Sequence, residues 1–323
     1  MSDQPVLLDV RHMTKTFKVR SGGFAPARRV QAVSDVSLTI RRGETFGLVG
    51  ESGCGKSTLG RVILRVCEPD AGEILFDGTD ITKLGTAAMR PFRRRMQMIF
   101  QDPYASLNPR FTLGDTVREP MMIHRLCDMK ESESRVRALL ETVGLKSDHI
   151  RRYPHEFSGG QRQRIGIMRA LAPEPEFIVC DEPFSALDVS IQAQIINLLE
   201  RIQDEKRLAY LMITHNLSAV RHISHRVGVI YLGRLVECGP AQDVCDRPAH
   251  PYTQALIASV PVPDPRQAGR ARTLLEGEVP SPIDLPPGCA FAGRCRYCTG
   301  KCREAAPALR QIDGRQVSCH LFS

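Results

Sequence analysis

No stretch of this 323-residue chain comes near the roughly 18 consecutive apolar residues that a membrane span needs. Met1–Asp9 carries none of the charged, apolar and small-residue sections of a secretory leader. These two absences predict a cytosolic protein, one that needs a partner for any work at a membrane. No internal repeat is present, which excludes solenoids and propellers. No sustained heptad run is present either, which excludes a long coiled coil. Acidic surplus is lacking too: 44 Lys and Arg face 36 Asp and Glu, a formal net charge of +8. That balance suits an acidic partner, whether nucleic acid, anionic lipid or merely a nucleotide. The basic residues are spread over Arg93–Arg95, Arg151–Arg152, Arg162–Arg164 and Arg266–Arg272, so a solvated surface accounts for most of them.

The stretch Gly50-Glu51-Ser52-Gly53-Cys54-Gly55-Lys56-Ser57-Thr58 fits the phosphate-binding pattern G-x-x-x-x-G-K-[ST]. A strand candidate, Thr45–Val49, leads into it, and a helix candidate from Lys56 to about Val66 leads out. Glycines let the backbone wrap a polyphosphate so that main-chain N–H groups and the helix N-terminus meet its oxygens. Lys56 then reaches the β- and γ-phosphates, and the Ser57 hydroxyl holds Mg²⁺. The alternative is a glycine-rich turn that binds nothing, and the strand–loop–helix context disfavours it.

Two more segments bear on this chemistry. Phe177–Asp181 reads as a buried parallel strand that delivers Asp181 and Glu182 at its carboxyl end, where ligands sit in α/β sheets. One carboxylate helps hold Mg²⁺ and its neighbour polarises the water that attacks the γ-phosphate. In Ser158-Gly159-Gly160-Gln161, Ser158 reads as the N-cap of a helix from Gln161 to Leu171. That N-terminus is a second anion-binding surface, open to another chain's nucleotide, or else an ordinary capped helix.

Strand–helix alternation in the body predicts an α/β core with a parallel sheet. Short strand patterns with turns run from about Leu7 to Gln101, including Ala71–Gly78. Helical patterns run from about Asp102 to Leu171, clearest in Ser132–Val143. Helix Ser190–Lys206, strand Leu208–Thr214 and strand pieces around Gly233 in Val227–Glu237 follow. From Pro240 the composition shifts. Pro248, Pro251, Pro261, Pro263, Pro265, Pro280, Pro282, Pro286 and Pro287 mark an irregular appendage. Five of the eleven cysteines fall between Cys289 and Cys319. In a reducing cytosol such a cluster reads as a metal site rather than a disulfide framework.

Taken in order, the P-loop, Gln101, Ser158-Gly159-Gly160-Gln161, Asp181-Glu182, Ser185-Ala186-Leu187-Asp188 and His215 resemble the motifs of an ABC transporter nucleotide-binding subunit. The resemblance narrows with Gln97–Arg110 and His250–Leu256, which are similar to segments of dipeptide/oligopeptide permease ATPases. Ser158–Leu171 is closer to their F-type subunit than to its D-type partner. It implies a P-loop NTPase core with an N-terminal antiparallel β subdomain, a helical subdomain over about 102–171, and a small irregular Cys-rich C-terminal appendage. The implied division is an ATP-binding domain over 1–240 and an importer-type extension over 241–323. It also implies a head-to-tail dimer of two such subunits with two ATPs between them. Beneath it lies the expectation of two integral membrane permease subunits, an external solute-binding protein and no nucleic acid. The chain would sit peripherally at the cytoplasmic face of the inner membrane.

By the same resemblance, Gly50, Ser52, Gly53, Cys54, Gly55, Lys56, Ser57 and Thr58 bind phosphate, and Ser57, Gln101 and Asp181 complete the Mg²⁺ shell. Glu182 is the general base, His215 holds the γ-phosphate and attacking water, and Asp188 couples the two sites. Phe17 is the candidate to stack on adenine, with a core phenylalanine as the alternative. Asn216 departs from the Asp expected after His215. Cys289, Cys295, Cys302 and Cys319 fall on the family's cysteine pattern, with Cys298 extra. Four thiolates suit Zn²⁺ or a [4Fe–4S] cluster; reduced cysteines in a small appendage are the alternative.

Overall fold

A computed structural model of the chain describes residues 4–19, 28–185, 187–259, 280, 281, 283, 285 and 287–322. Ala186, Pro261, Pro263, Pro265, Pro282, Pro286 and Arg266–Arg272 from the sequence reading lie outside them. The first part of the chain forms β1 (Val6–Val19), β2 (Arg28–Arg41), β3 (Thr45–Val49), α1 (Lys56–Ile63), β4 (Ala71–Phe76) and β5 (Thr79–Asp80). Then come α2 (Thr86–Arg95), β6 (Met96–Ile99), α3 (Pro103–Ser106), α4 (Leu113–Ile123), α5 (Met129–Val143) and α6 (Gly159–Leu171). They are followed by β7 (Phe177–Asp181), α7 (Val189–Lys206), β8 (Ala209–Ile213), α8 (Leu217–Ile223), β9 (Arg226–Tyr231) and β10 (Arg234–Pro240). Beyond these lie α9 (Ala241–Asp246), α10 (Pro251–Ala258), α11 (Gly300–Glu304), β11 (Arg310–Ile312) and β12 (Arg315–Val317). Among the described residues no helix is long and apolar enough to cross a membrane.

The contacts divide the chain into two units. One comprises Met1–Leu7, Ile40–Thr45 and Lys83–Thr214; the other comprises Leu8–Thr39, Phe46–Thr82 and His215–Ser323.

In the first unit, β8, β7 and β6 lie side by side and parallel, with Ile99 opposite Cys180 and Asp181 opposite Ile213. Every residue of β7 and β8 is buried, which is why both read as unbroken apolar runs rather than alternating ones. Burial takes the Cys180 thiol well above its usual range, so it stays a neutral core group. The helices are set by local chemistry. Helix α5 starts at Met129, three residues before the sequence pattern places it, because Asp128 caps it, accepting the Glu131 N–H at 2.8 Å. Val136, Leu140 and Val143 form its buried stripe, and Gly144 ends it at φ 71°. Thr112 and Asp115 form a reciprocal capping box at the start of α4.

The second unit holds the antiparallel subdomain, ordered β2-β1-β4-β5, and a group ordered β11-β12-β10-β9-β3. In that group β3 and β9 are parallel, and β9–β10 closes through Leu232 and Gly233 at φ 44° and 76°. Left-handed conformation at both turn residues matches the twist of the flanking strands. Helix α1 ends at Ile63 rather than near Val66, because Arg65 turns left-handed at φ 53°. From there its guanidinium, buried, reaches the Ile81 carbonyl and the Glu68 carboxylate.

The region after Pro240 is more ordered than its prolines suggest. Its described residues form three short helices and a hairpin whose second strand pairs antiparallel with β10, Glu237 opposite Val317. Glu237, wholly buried, anchors it by accepting the Ala249 and His250 N–H groups at 2.9 Å each. Tyr231, Tyr252 and Phe291 pack ring on ring, with centroids 4.6 to 5.4 Å apart, inside one core that also takes Val49, Val229 and Val244.

Candidate nucleotide site

The P-loop joins β3 to α1 in the second unit. Gly55, the N-cap of α1, sits at φ 101° and leaves the first-turn N–H groups without a side-chain cap. Such a terminus presents uncapped donors to an anion. The loop leans on its surroundings at two close approaches. A Cβ on Gly50 would lie 2.2 Å from the Ile230 carbonyl oxygen, and one on Gly55 would lie 1.9 Å from that of Ala32. The Gly233 N–H donates to the Cys54 carbonyl at 2.9 Å, and the Ser34 N–H to the Gly233 carbonyl at 2.8 Å. The β9–β10 turn therefore buttresses the loop. Ser52 and Gly53 stay exposed at its tip, and a Cβ on Gly53 would meet nothing within 4 Å.

Lys56 is only 5% exposed, and its ammonium donates to the Gly50 and Glu51 carbonyls at 2.8 and 2.9 Å. These bonds hold the positive charge inside the loop, where the phosphates of a nucleotide would meet it. Cys54 is buried beneath, its thiol pushed up by burial. Ser57 and Thr58 lie half-buried in the first turn of α1.

In the first unit Asp181, 2% exposed, ends β7, and Glu182 follows at φ 46°. A left-handed glutamate is uncommon and marks a held backbone. Its N–H donates to the Ile213 carbonyl at 2.8 Å, and its carboxylate accepts from Gln101 Nε2 at 3.1 Å. Gln101, just past β6, and Glu182, just past β7, are thus brought together. The bond is legible in sequence only as two motifs 81 residues apart.

Ser158 caps α6, and Gln161 answers it in a reciprocal box, Ser158 N–H to Gln161 Oε1 at 3.0 Å. The helix begins at Gly159, two residues earlier than the sequence pattern places it. Gly160 also has a packing reason: a Cβ there would lie 2.7 Å from Ile191 Cγ2 of α7. Asp188 is the exposed N-cap of α7.

In the second unit His215 is exposed and directly precedes Asn216, the N-cap of α8, whose side chain accepts the Ala219 N–H at 3.1 Å. Asn caps as well as Asp, which explains why the departure at Asn216 leaves this helix start intact. Phe17, on β1, is 39% exposed, with the Lys15 ammonium 5.5 Å from its ring centre.

Sequence reasoning missed two residues that touch the P-loop. The Tyr252 hydroxyl accepts the Glu51 N–H at 2.9 Å, and the Arg294 guanidinium bonds both Glu51 carboxylate oxygens. They lie 201 and 243 residues from Glu51, beyond any local pattern.

All eleven cysteines are free thiols. Burial raises Cys289 to about 11 and also raises Cys295 and Cys319; the neighbouring cysteines, Cys302 among them, push the same way. Backbone N–H groups of Phe291, Tyr297 and Leu321 point at those three sulfurs, each two residues on. At Cys302 burial raises the thiol, but bonds to Thr299 and Cys298 outweigh it and the net shift is downward. Among the described residues no group of three or more His, Cys, Asp or Glu is set in metal-ligand geometry.

Residues 33–185 match the ABC transporter family, and residues 236–302 match the C-terminal region of oligopeptide/dipeptide transporters. A Bacillus subtilis protein, YkfD, named for oligopeptide transport and ATP binding, is 54% identical over 298 residues, 91% of each chain. The oligopeptide transport ATP-binding protein AppF of the same organism is 50% identical over 326 residues, 100% of this chain and 99% of that one. A solved ATP-binding cassette, dimeric in a post-hydrolysis state with ADP and Pi, superposes at a TM-score of 0.65. It is 27% identical and covers 72% of this chain and 98% of its own. By that identity along nearly its whole length, this chain belongs to the oligopeptide/dipeptide family of ABC transporter ATP-binding proteins.

Proposed function

We propose that this chain is the F-type ATPase subunit of a dipeptide/oligopeptide importer, working peripherally at the cytoplasmic face of the inner membrane. The observation that carries this reading is the pairing, on one chain, of a P-loop preset for phosphate with an extension of the oligopeptide/dipeptide type. In it the loop N–H groups, Lys56, Ser57 and Thr58 bind the ATP phosphates. Mg²⁺, when bound, neutralises charge on the β- and γ-phosphates. The hard oxygens of Ser57, Gln101 and the buried Asp181 suit that cation. Glu182 takes a proton from the attacking water while Gln101 holds its carboxylate, and His215 holds the water and γ-phosphate in place. Phe17, already exposed, stacks on adenine rather than serving the core. Ser158, Gly159, Gly160 and Gln161 address the nucleotide of a partner ATPase in a head-to-tail dimer, and Asp188 couples the two sites.

The partners in this reading are a D-type ATPase and two integral permease subunits, with an extracytoplasmic solute-binding protein acting through them. Phe100, Tyr104, Met122, Ile123 and Met129 support it as exposed apolar side chains clustered in sequence along the Gln101 segment and the helical region. The test is a pull-down of the tagged subunit from detergent-solubilised membranes with partners read by mass spectrometry. The expected catch is two permease subunits and a second, similar ATPase. Ribosomes or nucleic acid without a membrane subunit would overturn the reading.

We assign Cys289, Cys295, Cys302 and Cys319 to one soft-metal set, Zn²⁺ or [4Fe–4S]. Support comes from four thiols within electrostatic reach of one another and from N–H groups aimed at three of the sulfurs. Elemental analysis after anaerobic purification should give about one zinc or about four iron per chain. Stripping the metal should lower the melting temperature of the wild type and leave the Cys289→Ser/Cys302→Ser variant where it was. Protein free of both metals removes the assignment.

A further inference from the structure

Glu51 brings a negative side chain into a loop whose task is to bind negative phosphates. Like charges in a partly dry site repel over several ångströms, so this carboxylate needs an explanation. It is held at three points, all within the second unit. Its N–H donates to the Tyr252 hydroxyl at 2.9 Å, its carbonyl accepts from Lys56 Nζ at 2.9 Å, and its carboxylate takes both arms of Arg294 at 2.8 and 3.1 Å. The bidentate pair is largely removed from water, with Arg294 5% and Glu51 23% exposed at the side chain.

Two of these three partners, Tyr252 and Arg294, come from the C-terminal extension, and both are rigidly mounted. Tyr252 is wholly buried at the second residue of α10. Its own N–H donates to His250 Nδ1 at 3.0 Å, and His250 is kept neutral by burial that pushes it down to about 4. Glu237 fixes the preceding backbone through the Ala249 and His250 N–H groups. Arg294 ends a short 3₁₀ turn, its N–H donating to the Phe291 carbonyl at 3.0 Å, while Phe291 packs against Tyr231 and Tyr252. The guanidinium also lies over the Tyr231 ring, 5.9 Å from its centre, with the Tyr231 hydroxyl at 3.4 Å.

We propose that Tyr252 and Arg294 are positioning residues of the ATPase. Tyr252 sets the backbone at the start of the P-loop. Arg294 cancels the Glu51 charge, which would otherwise stand uncompensated beside the nucleotide phosphates. The C-terminal extension is on this view part of the nucleotide site and not only a transporter-specific attachment. The inference rests on phosphate binding at the P-loop.

The test is a fluorescence titration of the full chain with mant-ATP and Mg²⁺, alongside KM and kcat for ATP. Arg294→Ala should weaken binding about tenfold and raise KM more than it lowers kcat, from loss of a charge-assisted bidentate pair. Arg294→Lys, which keeps the charge but not the fork, should fall between. Adding Glu51→Gln to Arg294→Ala should bring binding back to within about threefold of wild type, because the unpaired charge is gone. A pure brace of the fold would show no such rescue, so a double variant as weak as Arg294→Ala overturns the proposal. Unchanged binding in Arg294→Ala overturns it as well. Should that variant fail to fold, Tyr252→Phe, which removes one hydroxyl and no packing, should weaken binding about threefold or more; wild-type binding there counts against the role. A wild-type chain that binds no mant-ATP would instead overturn the nucleotide reading itself.

Discussion

Replacing Glu182 with Gln is expected to cut ATP turnover about 10²- to 10⁴-fold, the range lost with a general base, while ATP binding persists. The side chain keeps its size, and the amide still accepts from Gln101 Nε2, now 3.1 Å from the carboxylate. The backbone stays held by the 2.8 Å bond from its N–H to the Ile213 carbonyl. What disappears is the capacity to take a proton from water. Bound ATP then persists, so gel filtration with ATP and Mg²⁺ should show an accumulated dimer, either with itself or with the partner ATPase. A competing account exists. Glu182 sits left-handed at φ 46° beside a buried Asp181 and makes bonds that serve the fold. If the residue were only structural, turnover in Glu182→Gln would follow its folded fraction. Undiminished turnover in a well-folded variant removes Glu182 from the role of base.

What sequence made legible and what it did not divide along one physical line, the distance in chain over which a constraint acts. The strands Thr45–Val49 and Phe177–Asp181 are where the apolar runs place them, since a parallel strand buried on both faces has no polar side to obscure it. Helix α6 carries its start signal within four residues, Ser158 to Gln161. Chain-local signals misled where a single residue broke a pattern. Val66 continues the apolar period after Ile63, yet Arg65 takes a left-handed turn to satisfy Glu68 and Ile81. The prolines after Pro240 suggested irregularity, but Glu237 gathers Ala249 and His250, and Val317 returns to pair with β10. The grip of Tyr252 and Arg294 on Glu51 was invisible for the same reason. Neither residue belongs to a periodic face, and only the folded second unit brings them to the loop.

Gly55→Ala is expected to damage the apo protein far more than Gly53→Ala, although both glycines have positive φ and stand two residues apart. At Gly53, φ 78° strains an alanine, at about 1–2 kcal/mol, but a Cβ meets nothing within 4 Å. At Gly55, φ 101° is joined by a Cβ only 1.9 Å from the Ala32 carbonyl oxygen and 3.1 Å from its carbon. Backbone of β2 cannot rotate away as a side chain would. The loop, the strand or the start of α1 must move instead, by an ångström or more. The Ala32 segment is itself pinned, since the Ser34 N–H donates to Gly233, which in turn donates to Cys54. The displacement therefore spreads around a closed ring of contacts rather than relaxing into solvent. Strain of this kind costs on the order of 1–3 kcal/mol, and an ångström of misplacement in a site costs about 10²-fold in the chemistry it supports. Melting curves without nucleotide should show Gly55→Ala well below Gly53→Ala, and ATP turnover should fall about 10²-fold in Gly55→Ala. Equal melting temperatures would mean that the Ala32 wall yields. Gly55 would then be needed for the room it leaves a phosphate and not for its contact with β2.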